Sequence, residues 1–269
     1  MTLSHYAFLE FLLFVTFNHP SWEDTLPIKA ISFVNHLLAD LPDSEFRTLI
    51  TKSELIQLVY ADILTNRDDP IDYVYFPVDS IISLVAPIEE SRGMEVTMIG
   101  NEGMLGITLM LGVNVAPFSA LVQKSGSAIR IDSHSFLNSL EHSPILKEHL
   151  NRYLCVSFSQ LVQAAICNRF HIVEERLARL LLMIRDRAHS ESFYITQDLL
   201  AHMLGVRRVG VTKAALALQH KNLIGYSRGY MVIKNIAGLE NEACACYMAD
   251  KEIYNRMLNK DNVKLSANQ

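Results

Sequence analysis

The residues of this 269-residue chain whose types and spacing point most directly to chemistry lie between Thr196 and Leu216, in the stretch TQDLLAHMLGVRRVGVTKAAL. Arg207, Arg208, Thr212 and Lys213 fall on one side of a helix beginning near Arg207, while Val211, Ala214 and Ala215 fall on the other. Over residues 196 to 230 there are five Lys or Arg (Arg207, Arg208, Lys213, Lys221, Arg228) against one acid, Asp198, a local charge of +4 inside a chain of formal charge -5. Phosphate oxygens of a nucleic acid are what such a face attracts. A forked arginine on guanine O6 and N7 is the commonest specific base contact, and Arg208 is the candidate for it.

The flanking residues say how that face is held. Thr196 can cap a first helix with Asp198 in its first turn. Leu200, Ala201 and Leu204 supply its inward side, and Gly205 stands where a tight turn needs left-handed dihedrals. Leu223 to Tyr226 and Tyr230 to Ile233 read as two short strands around Ser227, Arg228 and Gly229, a hairpin wing with Arg228 at its tip.

Upstream, Ile172 to Arg187 reads as an amphipathic helix with Leu177, Leu180, Leu181 and Ile184 inward and Glu174, Glu175, Arg176 and Arg179 mostly outward. Ser143 before Pro144 marks the start of a long helix reaching about Arg169. Its stripe of Leu150, Leu154, Ser157, Leu161 and Ala164 is close to coiled-coil spacing, which suits packing on a second copy. A helix that merely covers its own β domain is the alternative.

The N-terminal half changes character at about Arg67. From His36 to Tyr60 apolar residues, including Leu55 and Leu58, recur at helical spacing, with Pro42 separating two short helices. Beyond it, short β-rich runs at Tyr73 to Phe76, Ile81 to Val85, Val96 to Ile99, Ala120 to Gln123 and Ala128 to Ile131 are separated by turn residues. That pattern favours an antiparallel sandwich or barrel of the jelly-roll kind. The expected fold class is therefore α+β, with an extension over 1–35, a β domain over 36–142, a dimerisation helix over 143–170, a winged helix-turn-helix over 171–240 and a tail over 241–269. Ala7 to Phe17 is apolar but short, contains Glu10 and lacks a basic lead-in, so a membrane role is not expected. It reads as a helical extension packed on the body or a partner, or as an overlong translated start.

The four cysteines, Cys155, Cys167, Cys244 and Cys246, show no paired CxxC spacing. They read as reduced, buried thiols. A redox or metal pair at Cys244 and Cys246 is the alternative, but the sequence sets no His or Cys cluster of zinc spacing beside them, so neither a metal nor another cofactor is expected. No catalytic constellation stands at a usable spacing, and an enzyme is not expected.

Taken together, VEERLARLLLMIRDR leading into the helix-turn-helix, that motif itself and the LIGYSRGYMVI hairpin resemble the Crp/Fnr family of bacterial transcription regulators over roughly His36 to Asn235. The resemblance implies a cytoplasmic homodimer joined through the long helix, with each recognition helix in the major groove of one half of a roughly palindromic duplex, and RNA polymerase as a further partner. By position, Arg208 matches the family's base- and backbone-contacting arginine and Lys213 a second basic contact. The family's frequent glutamate is Val209 here, and its capping serine is Arg207.

The effector region departs further. In nucleotide-binding members a GELG-type turn and an arginine followed by serine or threonine hold the ligand. The matching stretches here are Gly103, Met104, Leu105 and Gly106, and Pro117, Phe118, Ser119, Ala120 and Leu121. Met104 stands in the glutamate's place and Phe118 in the arginine's, and only Ser119 remains. A cyclic phosphate buried without its cation suffers several kcal/mol, roughly, of desolvation, so cyclic AMP is not expected to bind in the family's way. The pocket is expected to be filled by Met104 and Phe118, or to take an apolar effector. The second functional reading is a small-molecule receptor in which an unidentified effector controls DNA binding.

Overall fold

The computed structural model describes residues 35–89 and 92–258. The apolar run from Ala7 to Phe17 lies outside the described residues.

Asn35 opens the described chain. It is fully buried, its side chain accepts from the Leu37 amide at 3.0 Å, and its Nδ2 donates to Pro77 O at 3.0 Å and Gly103 O at 2.7 Å. One side chain thus caps α1 (His36–Ala39) and ties it to the β domain. Helix α2 (Asp43–Ile50) follows from Pro42, which serves as its N-cap residue. The helical reading does not continue to Tyr60, because Ser53–Leu58 form strand β1. This is an edge strand paired with β7 (Gly126–Asp132), and that tertiary pairing overrides the helical spacing of Leu55 and Leu58.

The remaining strands of this half are β2 (Ile63–Thr65), β3 (Tyr73–Pro77), β4 (Ile81–Glu89), β5 (Arg92–Ile99) and β6 (Ser119–Lys124). They form two antiparallel sheets, ordered β1-β7-β3 and β2-β6-β4-β5. Ile82, Ile99, Leu105, Val122 and Ala128 make an apolar interior, as expected of a sandwich with alternating faces. Between β5 and β6 a turn through Gly106 (φ +92°) leads into a short 3-10 helix, Ile107–Leu111.

Asp132 caps α3 (Ser133–His142) and Ser143 caps α4 (Pro144–Phe170), the latter accepting from the Leu146 amide at 3.0 Å. The first half of α4 is committed inward: Leu146, Leu150 and Tyr153 join Phe76, Met104 and Phe136 in one core. The expected contact stripe is corrected accordingly, since Leu150 is wholly buried in its own chain. Leu161 lies only about 20° around the helix from Leu150, but sits beyond that core. There the helix exposes Phe158 (68%), Leu161, Val162, Ile166 and Phe170 (75%).

Helix α5 (Val173–Ala188), strand β8 (Ser192–Tyr194), helices α6 (Gln197–Leu204) and α7 (Arg208–His220), strands β9 (Ile224–Ser227) and β10 (Tyr230–Ile233) and helix α8 (Ile236–Glu242) build the C-terminal head. Its core gathers Leu177, Leu181, Leu200, Val211, Leu218, Met231 and Leu239, and continues into Ile81 and Met98 of the sandwich. Helix α9 (Cys246–Leu258) packs back along α4, with Tyr247 buried and its hydroxyl donating to Asp186 at 2.8 Å. Among the described residues no helix is long and apolar enough to cross a membrane.

Candidate nucleic-acid interface

The basic face rests on α6 and α7. Thr196 accepts from the Leu199 amide at 3.1 Å, which fixes the start of α6. Gly205 ends it with φ +62°, the left-handed geometry a glycine adopts without strain. Leu200, Ala201 and Leu204 on α6 pack with Val211, Ala214 and Ala215 on α7. Ala201 keeps the two helices close, so the opposite side of α7 is turned outward.

Arg207, Arg208 and Lys213 are exposed there, and Thr212 is half-buried. Arg207 is the N-cap residue of α7 and makes no side-chain capping bond, while its carbonyl accepts from the Gly210 amide at 2.8 Å. Arg208 Nη1 lies 3.6 Å from Asp198 Oδ2, with both side chains more than half exposed. Such a pair is worth at most about 1 kcal/mol, so a phosphate or a base edge can take the guanidinium from it. The Thr212 hydroxyl lies 2.8 Å from Gln197 Oε1 and 3.1 Å from Arg208 O, linking the two helices. Val209 is 65% exposed, an aliphatic side chain held out beside the arginines.

The wing forms as a three-stranded sheet, ordered β8-β10-β9, in which the short strand β8 has no counterpart in the sequence reading. Arg228 (φ +51°) and Gly229 (φ +84°) form its tip, the pair of positive φ values a tight hairpin of this kind requires. A Cβ on Gly229 would meet the Tyr194 ring at 2.6 Å, so the residue is needed for space as well as for φ.

Three charges counted or placed by sequence behave differently. Lys221 does not face outward alone: its ammonium lies 2.7 Å from both Glu174 and Glu242, which takes it out of the phosphate footprint. Arg176 and Arg179, expected to point mostly outward, turn inward: Arg176 is buried and the Arg179 side chain is 11% exposed. Arg176 donates to Leu204 O at the end of α6 and to Asn168 at 2.6 Å. Arg179 pairs with Asp250 of α9 at 2.6 Å. In both cases the drive to satisfy a helix carbonyl or a buried carboxylate outweighs the amphipathic pattern.

The effector region is apolar and closely filled on one side. Met104 is fully buried among Val74, Phe76, Phe136 and Leu150. A Cβ on Gly103 would collide with the Tyr153 hydroxyl, so the turn and α4 are in close contact. Phe118, by contrast, remains half-exposed, which departs from the expectation that it fills the pocket with Met104. Ser119 Oγ already accepts from the Arg67 amide at 3.0 Å.

A second constellation includes Cys244 and Cys246, weighed from sequence as an alternative metal pair, and adds two residues that sequence reasoning missed. Cys167, His171, Cys244 and Cys246 bring their donor atoms within 4.8 Å of one another. The three thiols are buried, whereas Cys155, expected to be buried as well, is exposed. The signal that could have found the group is the Cys-x-x-x-His spacing at the end of a helix, together with Cys-x-Cys elsewhere in the chain.

Residues 175–242 match the model of the Crp-like helix-turn-helix domain. That match covers about a quarter of the chain, the segment that holds α6, α7 and the wing. Its fold is shared with FixK2 of Bradyrhizobium japonicum at a TM-score of 0.63 and 15% identity, over 72% of this chain and 98% of that one. A Crp/Fnr-family transcriptional regulator of Eubacterium rectale superposes at a TM-score of 0.60 and 16% identity, over 77% and 96%. The c-di-GMP-responsive global regulator CLP of Xanthomonas campestris does so at 0.60 and 13%, over 71% and 99%. At these identities the likeness establishes the fold of this chain and not its signal. No curated protein matches the sequence.

Proposed function

We propose that this protein is a sequence-specific DNA-binding transcription regulator of the Crp/Fnr type, acting in the cytoplasm as a homodimer, with α7 in the major groove and Arg228 of the wing on the backbone. The carrying observation is the outward side of α7, where Arg207, Arg208 and Lys213 are exposed. Arg208 reads a guanine, Lys213 and Arg207 contact phosphate, and Val209 offers an apolar surface suited to a thymine methyl. An enzymatic role is not part of this reading, and RNA polymerase is the macromolecular partner it implies beyond DNA.

The second copy is assigned to the exposed stripe of Phe158, Leu161, Val162, Ile166 and Phe170, because a helix surface this apolar is costly to leave in water. Cyclic AMP is not its signal, given Met104 in the core and Phe118 in place of a cation. A receptor for another small effector remains the second reading, favoured by the half-exposed Phe118 and by nothing charged. Selection of duplexes from a random pool, followed by binding of wild type and Arg208→Ala, tests the assignment. An enriched half-site whose preference relaxes in the variant supports it, and equal binding of all duplexes by both proteins removes Arg208 from base reading. Phe158→Asp should sediment as a monomer if the stripe is the dimer contact. An unchanged dimer would place that contact elsewhere.

A further inference from the structure

Helix α4 ends at Phe170, and α5 begins at Val173. The break between them is where the long helix hands over to the DNA-binding head. Cys167 lies in the last turn of α4, and His171 is the C-cap residue, its amide donating to Cys167 O at 3.2 Å. Four positions apart, their side chains project from one face of the helix end. Cys244 and Cys246 come from the other direction, at the junction between α8 and α9. Alternate residues in this bent segment bring both thiols to the same point.

Cys167 Sγ lies 3.4 Å from Cys244 Sγ, and Cys246 Sγ lies 3.5 Å from His171 Nδ1. A tetrahedral ion with metal–sulfur bonds near 2.3 Å and a metal–nitrogen bond near 2.1 Å sets its ligand atoms about 3.7 Å apart. The most distant donors therefore need close by about 1 Å at most to share one ion. All four donors fall within 4.8 Å of one another. An iron-sulfur cluster, which needs inorganic sulfide and more than one iron between its cysteines, does not fit in that space.

The surroundings agree with a bound cation held by thiolates. The three cysteines form a small buried cluster of their own, apart from the aliphatic cores, where packing alone would place a Leu or Val as readily. Arg179 lies close enough to Cys167 and Cys244 for their charges to interact, and its Nε is buried with no hydrogen-bond partner among the described residues. A groove of about 530 Å³ lined by His171, Glu174, Cys244 and their neighbours leads from solvent to the cluster.

We propose that Cys167, His171, Cys244 and Cys246 form a closed four-coordinate site for one zinc-type divalent ion, which staples the start of α9 to the end of α4 beside the hinge of the DNA-binding head. Each thiol gives up its proton to solvent as its sulfur–metal bond forms, and no electron is transferred. Soft sulfur donors with one imidazole in a tetrahedral array select zinc over magnesium or calcium, and a shell of four protein donors leaves no position for a substrate. The site is therefore structural, and it makes the geometry of the hinge depend on metal supply and on the reduced state of the thiols.

The test uses the full chain purified under reductant. It should carry about one equivalent of zinc per chain, lose it to a chelator with a fall in melting temperature, and take up Co²⁺ with the visible bands of a tetrahedral thiolate complex. Cys244→Ser and His171→Ala should each abolish those bands, while Cys155→Ser, at an exposed cysteine outside the cluster, should keep them. If Cys244→Ser does not fold, the wild-type chelation and Co²⁺ titration decide alone. Three results would overturn the site: folded, reduced wild type that takes up neither ion, a Cys244→Ser variant with unchanged cobalt bands, or a Cys167–Cys244 disulfide in metal-free protein kept under reductant.

Discussion

Two glycine turns, at Gly205 and at Gly103 to Gly106, are built in opposite senses. At Gly205 the chain turns so that charged residues of α7 face water and only aliphatics face the core. At Gly103 to Gly106 it turns so that Met104 faces the core, with no charge presented at the position a nucleotide-binding relative would give to a carboxylate. An exposed guanidinium is already hydrated and can trade water for phosphate at low cost, whereas a buried site offers an anion nothing unless a cation is built in with it. The first turn is equipped for an anionic partner and the second is not.

Restoring the missing acid is the strongest way to break this contrast. Met104→Glu places a carboxylate in a core where the methionine is fully buried, and should cost at least about 3 kcal/mol of stability in denaturant unfolding, without conferring cyclic AMP binding. A variant that is as stable as wild type and binds the nucleotide would mean that the pocket is open.

A second prediction concerns Glu95, on the β5 strand that meets α6. Burial pushes its carboxyl up to about 7, against a hydrogen bond from Ser83 and the charge of Arg187. Because the folded-state value is above the unfolded one of 4.5, the fold binds the proton more tightly than the unfolded chain does. This contribution is fully present below about pH 4.5 and is lost as pH rises through about 7. Wild type should therefore lose about 1 to 3 kcal/mol between pH 5 and 8 relative to Glu95→Gln. Parallel stability curves for the two proteins would show that Glu95 is ionised at little cost.

The smallest effect sharpens the other side of the contrast. Lys213→Ala should leave folding unchanged and weaken all duplexes alike, flattening the slope of log affinity against log salt by about one unit. An unchanged slope would mean that Lys213 does not reach a phosphate.

What the sequence made legible was local. The Thr196 cap, the Gly205 turn, the spaced aliphatics of α6 and α7 and the Arg228-Gly229 tip all lie within a few residues of one another, and each has one physical reading. Ser143 before Pro144 announced α4 equally well. The features that escaped depend on contacts between distant segments. Strand β1 exists because β7 pairs with it. Lys221 is spent on Glu174 and Glu242, and Arg179 is drawn inward by Asp250. Cys167 and Cys244 meet across 77 positions of sequence. Leu150 and Leu161 show the limit from within one helix: they share a face, yet only the neighbouring core decides that one is buried and the other exposed.

The central claim is that the outward side of α7 engages duplex DNA through exposed arginine and lysine. Its most direct test is the affinity for a selected duplex measured across salt concentration, for wild type and Arg208→Ala side by side. The account predicts wild-type binding that falls steeply with salt, and an Arg208→Ala loss of about 1 to 3 kcal/mol confined to the preferred sequence. A folded wild-type protein that retains no duplex even at low ionic strength would contradict it.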